Sequence, residues 1–165
     1  MKKPTVIFSH GLESGPWGNK IQTLADTATR AGFAVDSIDY SDLRDPVART
    51  RRLVESQPEG APLILAGSSM GAYVAAEASH SLSVDGLFLL APAFEIPGSP
   101  GVRLPLAPSQ ITMVHGWQDD VVPVKPVISA AQQCRAELHL VDDGHRLQAC
   151  LAQIDYWFAE FLRRW

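Results

Sequence analysis

Cysteine is scarce in this chain, with two residues in 165, Cys134 and Cys150. Neither sits in a C-x-x-C pair or beside a histidine at metal-ligand spacing, which argues against a zinc site. Two free thiols in a reducing compartment are the expectation. Long apolar runs are also absent. The N-terminal "MKKPTVIFSHGL" has two lysines and then a short apolar stretch broken at His10 and Gly11. That is too short for a secretory h-region or a membrane span, and a cytoplasmic location is expected by default. Positive charge is lacking too: a net charge of −4 gives no electrostatic footprint for nucleic acid. The one basic run, Arg49-Thr50-Arg51-Arg52, reads as a solvated helix face.

What is present is ordinary for a globular protein. The chain is 46% apolar and 19% charged, with no repeat and no low-complexity linker, so residues 1–165 read as a single domain. Strand-like and helix-like segments alternate throughout. "TVIFS" (Thr5–Ser9) is β-rich and runs into a Gly-containing loop. "NKIQTLADTATRA" has apolar residues at helical spacing and ends at Gly32. "FAVDSIDY" alternates like a strand near a sheet edge. Asp45-Pro46 opens the next helix with an aspartate N-cap and a proline in the first turn.

"PLILAG" is a strand and "MGAYVAAEASHSL" a helix; "VDGLFLLAP" is a fully buried strand. After an irregular segment come "QITMVHG" as a strand, "VKPVISAAQQC" as a helix and "AELHLVD" as a strand. A closing amphipathic helix is expected from about Leu147 to Leu162. Six strands separated by helices predict an α/β fold, doubly wound, with a mostly parallel six-stranded sheet and helices on both faces. In such sheets the chemistry lies beyond the carboxyl ends of the strands. The loops after Ser9, Gly67, Ala91, His115 and Asp142 are therefore the ones to inspect.

One of those loops hardly exists. In "LILAGSSMGAYVAAEAS" a buried strand passes into a helix through Gly67-Ser68-Ser69-Met70-Gly71, the pattern G-x-S-x-G. A turn this tight requires glycine where side chains would meet neighbouring backbone, and it lifts the central Ser69 hydroxyl above the sheet. A serine at its free pKa is a poor nucleophile, so a base must take its proton and a third group must orient that base. Of five histidines, His145 lies in "DDGHRL", between the last strand and the last helix, where its ring can reach over Ser69. His10, His80, His115 and His139 read as structural, hydrogen-bonded or exposed. The acid is expected from "HGWQDDVVP", which offers Asp119 and Asp120, one of which could simply cap the turn.

These residues together resemble the α/β-hydrolase family over nearly the whole chain. "FSHGLESG" is similar to the His-Gly loop that helps form the family's oxyanion hole, and "GSSMG" to its nucleophile elbow. "HGWQDDVVP" resembles the acid loop, in which the aspartate falls on Asp119 and Asp120 is left to cap. "DGHRL" resembles the catalytic-histidine loop. The resemblance implies a Ser69–Asp119–His145 triad in the family's chain order and oxyanion donors at the backbone N–H groups of Leu12 and Met70. It also implies a minimal member, short at the N-terminal side of the sheet and without a helical cap. The position of a cap is taken by Pro92–Ser109, whose five prolines preclude much helix.

The expected activity is a serine hydrolase cleaving a carboxylic ester or thioester through an acyl-enzyme, acting on a small-molecule substrate with no metal or organic cofactor. The alternatives are an acyltransferase or amidase using the same three residues, or a weakly catalytic or non-catalytic protein-binding scaffold, since fold alone does not fix function.

Overall fold

A computed structural model describes residues 1–165. Six strands alternate with five helices: β1 (Thr5–Ser9), α1 (Asn19–Arg30), β2 (Ala34–Ile38), α2 (Pro46–Glu55), β3 (Leu63–Ser68), α3 (Met70–Ala78), β4 (Gly86–Leu90), β5 (Gln110–Gly116), α4 (Val124–Cys134), β6 (Glu137–Val141) and α5 (Leu151–Leu162). The strands form one sheet in the order β2-β1-β3-β4-β5-β6, and all five pairings are parallel. This is the doubly wound arrangement, with β2 on the edge where its alternating pattern placed it. No helix is long and apolar enough to cross a membrane.

Period-2 alternation divides the strand residues between two cores. Ile7, Leu63, Leu65, Leu87, Leu89, Ile111 and Met113 face α2, α3 and α4. Val6, Phe8, Ile64, Ala66, Phe88, Leu90 and Val114 face α1 and α5. On the second face the rings of Phe8 and Phe88 pack on Phe158, with centroids at 6.2 and 4.9 Å, and Phe88 also meets Phe161 at 5.5 Å. Truncating a fully buried ring such as Phe88 would cost about 3–5 kcal/mol.

The winding reverses between β1 and β3, since β1 leads outward to β2 and β2 returns across it to β3. The crevice beyond the carboxyl ends at this reversal is where doubly wound sheets bind ligands, and the loops after Ser9 and Ser68 meet there. Their approach is very close: a Cβ at Gly71 would collide with the carbonyl of Ser9. Only glycine lets the first turn of α3 sit directly on the end of β1.

Two expectations need correction. The last helix starts at Leu151 and not near Leu147, because Leu147 has φ 53° and is fully buried as a loop plug in the α1/α5 core. The basic run is not uniformly solvated: Arg49 is 1% exposed, while Arg51 is exposed. The buried residues of α2 are Pro46, Arg49 and Leu53, so Arg49 occupies the inward stripe of an amphipathic helix whose N-cap is Asp45, accepting from Ala48 N–H at 2.8 Å.

The segment 92–109 contains no helix and is bound down on α3. Tyr73 Oη donates to Pro100 O at 2.8 Å, Arg103 N–H donates to Glu77 Oε1 at 2.7 Å, and Phe94 and Leu106 are buried in the core.

Candidate active site

Ser69 links β3 to α3 with φ 57° and ψ −116°, a conformation that a residue with a Cβ adopts only when its surroundings impose it. Those surroundings are explicit. Its N–H donates to Leu90 O at 2.9 Å, and its carbonyl accepts from Ala72 at 3.0 Å and from Tyr73 and Ala93 at 3.3 Å. Every backbone polar group of Ser69 is thereby fixed, and its hydroxyl is aimed at the loop carrying His145.

Ser69 Oγ lies 3.0 Å from His145 Nε2, and His145 Nδ1 lies 2.8 Å from Asp119 Oδ2. A carboxylate only accepts, so Nδ1 carries the ring proton. In the neutral ring Nε2 is then an acceptor, and the serine hydroxyl donates to it. The Asp119 side chain is fully buried and that of His145 is 21% exposed. The structure thus brings Ser69, His145 and Asp119, which are distant in sequence, into one hydrogen-bonded line.

Asp119 has a second task that was expected of Asp120. Its Oδ1 accepts the N–H groups of Val121 at 2.9 Å and Val122 at 2.7 Å, capping the turn, whereas Asp120 is exposed. Burial alone would raise the Asp119 carboxyl. The Val122 N–H, the His145 ring and the Val121 N–H outweigh burial and hold it below the usual carboxylate range. His115, fully buried, also approaches this carboxylate, with Nε2 at 3.4 Å from Oδ2. That nitrogen donates to Val122 O at 2.9 Å, which leaves His115 Nδ1 buried without a partner.

The acid and histidine loops are packed against one another. Gln118 N–H donates to Asp143 O at 3.1 Å and Trp117 N–H to Val141 O at 2.9 Å, while a Cβ at Gly116 would collide with the carbonyl of Asp143. Lys20, at the start of α1, donates from Nζ to Arg146 O at 2.7 Å and so ties the histidine loop to the opposite rim. Burial lowers its ammonium from the usual lysine range, against the pull of Asp143.

The N–H of Leu12, in the loop after β1, donates to no group of the protein. Met70 opens α3, where no carbonyl of its own helix lies one turn back to accept its N–H. Ser68 faces away, onto a small cavity of about 10 Å³ that Lys20, Ser9 and Phe88 help to line. No group of three or more His, Cys, Asp or Glu is arranged to hold a metal ion.

The other histidines are hydrogen-bonded. His80 Nε2 lies 2.9 Å from Arg103 O, and His139 stacks on Trp157 with centroids 3.8 Å apart. His10 is fully buried: its Nε2 accepts Tyr40 N–H at 2.9 Å, so its Nδ1–H donates to Gly11 O at 2.8 Å. Burial, with the charge of Arg49, holds this ring below the ordinary histidine value. Arg49 itself was missed as a residue of the site's surroundings. The signal was present in the spacing of Pro46, Arg49 and Leu53, which puts all three on one helix face.

A model of the alpha/beta hydrolase family matches residues 6–165. Among solved structures, the chain is similar to a protein of Xanthomonas campestris pv. campestris described as a hydrolase of the alpha/beta superfamily. The two are 36% identical over 100% of both chains, with a TM-score of 0.91. A second Xanthomonas campestris protein, described as an alpha/beta serine hydrolase without lid, is 24% identical over 99% of this chain and 83% of that one, with a TM-score of 0.75. Est1E from Butyrivibrio proteoclasticus is 18% identical over 99% and 88%, with a TM-score of 0.76. The last two likenesses are of fold alone. No curated protein matches the sequence.

Proposed function

The chain belongs to the alpha/beta hydrolase family, and from that premise we propose that it is a serine hydrolase cleaving a carboxylic ester or thioester. The observation that carries this reading is the continuous line from Ser69 Oγ to His145 Nε2 at 3.0 Å and from His145 Nδ1 to Asp119 Oδ2 at 2.8 Å. In the proposed reaction Ser69 Oγ attacks the acyl carbon as its proton passes to His145 Nε2. The carbonyl electron pair moves onto oxygen, where the N–H groups of Leu12 and Met70 receive it. Collapse breaks the bond to the leaving group, which takes the proton from His145 and leaves an acyl-Ser69. Water, deprotonated by the same nitrogen, then releases the acid. Asp119 keeps Nδ1 protonated throughout.

The test is labelling with a fluorophosphonate together with turnover of acyl esters and thioesters of graded chain length. Labelling at Ser69 is expected, and Ser69→Ala should abolish both labelling and turnover. Loss of Ser69 should leave only the catalysis supplied by binding and the oxyanion donors, several orders of magnitude down. Inactivity of Ser68→Ala beside an active Ser69→Ala would sink the assignment.

A further inference from the structure

Arg49 is the most anomalous side chain in the molecule. It is 1% exposed, and no carboxylate lies within ion-pair distance of it. Burying an unpaired guanidinium is expensive, and hydrophobic residues of similar volume are commonly at least as stabilising at such positions. Its hydrogen bonds all go to backbone carbonyls: Nε to Leu43 at 2.7 Å, Nη1 to His10 at 3.0 Å and Gly11 at 3.3 Å, Nη2 to Tyr40 at 3.3 Å. The Tyr40 ring also faces the guanidinium, 5.3 Å from its centroid. Two of these four carbonyls belong to the loop that carries Leu12.

The Gly11 carbonyl is the informative one. It accepts from Arg49 and also from His10 Nδ1 at 2.8 Å. The Gly11–Leu12 peptide is trans, so its C=O and N–H point in opposite directions in one plane. Pinning the carbonyl toward α2 therefore dictates where the Leu12 N–H points. That N–H has no acceptor in the protein, and the Gly11 backbone runs beside the nucleophile, since a Cβ there would stand 3.6 Å from Ser69 Cβ.

We propose that Arg49 is a positioning residue of the reaction: together with His10 it locks the Gly11–Leu12 peptide so that the Leu12 N–H meets the oxyanion formed on Ser69. This rests on the serine-hydrolase reading above. The planar fork suits the task, because it reaches four carbonyls at once from a fixed geometry, which an ammonium cannot do. Its charge further polarises the peptide it holds, strengthening the opposite N–H as a donor in a dry environment. The effect falls on the transition state, where the charge on oxygen develops, and not on the bound ester.

The experiment compares native protein with Arg49→Gln, Arg49→Lys and His10→Gln. In His10→Gln the amide oxygen retains an acceptor for Tyr40 N–H, but the donor to Gly11 O is lost. For each, the fraction of protein that reacts with fluorophosphonate at completion counts the folded sites. kcat and KM on an activated ester and Ki for a trifluoromethyl ketone, whose adduct with serine carries an oxyanion, are then measured per site. A complete oxyanion donor is worth about 10²–10³ in rate, so a misaimed one should cost about tenfold to a hundredfold in kcat. KM should stay nearly constant, and Ki should rise in proportion to the loss in kcat/KM. Arg49→Lys should recover part of the loss. A purely structural role predicts fewer reactive sites with native kcat and Ki at each, and that result would overturn the proposal. If Arg49→Gln yields no folded protein, His10→Gln and Arg49→Lys decide by the same criteria. Native protein that neither labels at Ser69 nor turns over any ester defeats the hydrolase reading and this inference with it; native turnover with unaltered variants defeats the inference alone.

Discussion

Asp119 divides its carboxylate between two tasks: Oδ2 lies 2.8 Å from His145 Nδ1, and Oδ1 is occupied by the N–H groups of Val121 and Val122. This division fixes the outcome of an amide substitution. In Asp119→Asn the amide oxygen must remain with the two backbone donors, so the NH₂ group falls on His145. The ring nitrogen there becomes an acceptor, the proton moves to Nε2, and Nε2 can no longer accept from Ser69. The triad template gives a loss of about 10⁴ in kcat for such a tautomer error, and a loss of at least two to three orders of magnitude is expected here. Asp120→Asn, on an exposed side chain, should stay within about tenfold of native. Measured kcat/KM on a short activated ester, with circular dichroism to confirm folding, decides which acid matters.

The same carboxylate sets a pH signature for stability. Its folded value lies below the ordinary one, despite burial, because of the Val122 and Val121 N–H groups and the His145 ring. The unfolded chain therefore binds the proton more readily. Asp119 contributes stability that is fully present above the unfolded value of about 3.9 and is lost as pH falls through the lower folded value. Melting temperatures of native protein and Asp119→Asn, taken from about pH 6 to about pH 2, should converge below about pH 4. A gap that stays constant across that range would count against it.

How much of this the sequence disclosed depends on whether the signal was local. The elbow was legible because Gly67, Ser69 and Gly71 interrupt an apolar strand with no loop between it and the helix, and steric necessity is written in adjacent residues. The strands and the order of the three site residues followed from alternation and from short motifs. What failed was non-local. Leu147 looks like the first apolar position of a helix, but a buried contact with the sheet face holds it at φ 53° in the preceding loop. Arg49 looks like surface charge until its carbonyl partners, from 6 to 39 residues away, are brought around it. The cap on the Val121–Val122 turn went to Asp119 because its side chain, unlike that of Asp120, points inward.

The two thiols should be free and unequal. Cys134 Sγ accepts Leu106 N–H at 3.4 Å, and the Cys150 thiol is pushed up by burial and by Asp143 and Asp142 nearby. Thiolate is the reactive form, so Cys150 in native protein should alkylate with iodoacetamide more slowly than a free cysteine at the same pH. Denatured, unreduced protein should titrate two thiols per chain. Peptide mass spectrometry over a time course reads both; a single bridged pair, or Cys150 reacting at the free-thiol rate, contradicts the prediction.

The contact between the acid and histidine loops allows the geometry of the site to be disturbed without touching any group in the hydrogen-bonded line. Gly116 ends β5 with ordinary backbone angles, so alanine is permitted there by its own conformation. Its Cβ, however, would run into the carbonyl of Asp143 and approach that of Gly144, both of them backbone atoms that cannot rotate away. The histidine loop must shift, and His145 moves relative to Asp119 and Ser69. Displacements of about 1 Å among reacting groups can cost about a hundredfold in rate. Gly116→Ala should therefore lose about one to two orders of magnitude in kcat/KM and label more slowly with fluorophosphonate, since in the proposed reaction labelling also uses His145 as base. The control lies in the opposing loop: a Cβ at Gly144 meets nothing within 4 Å, so Gly144→Ala should keep the native rate. Melting temperatures measured alongside separate loss of fold from loss of alignment. Native kcat/KM in folded Gly116→Ala would show that the packing of these two loops does not set the position of His145.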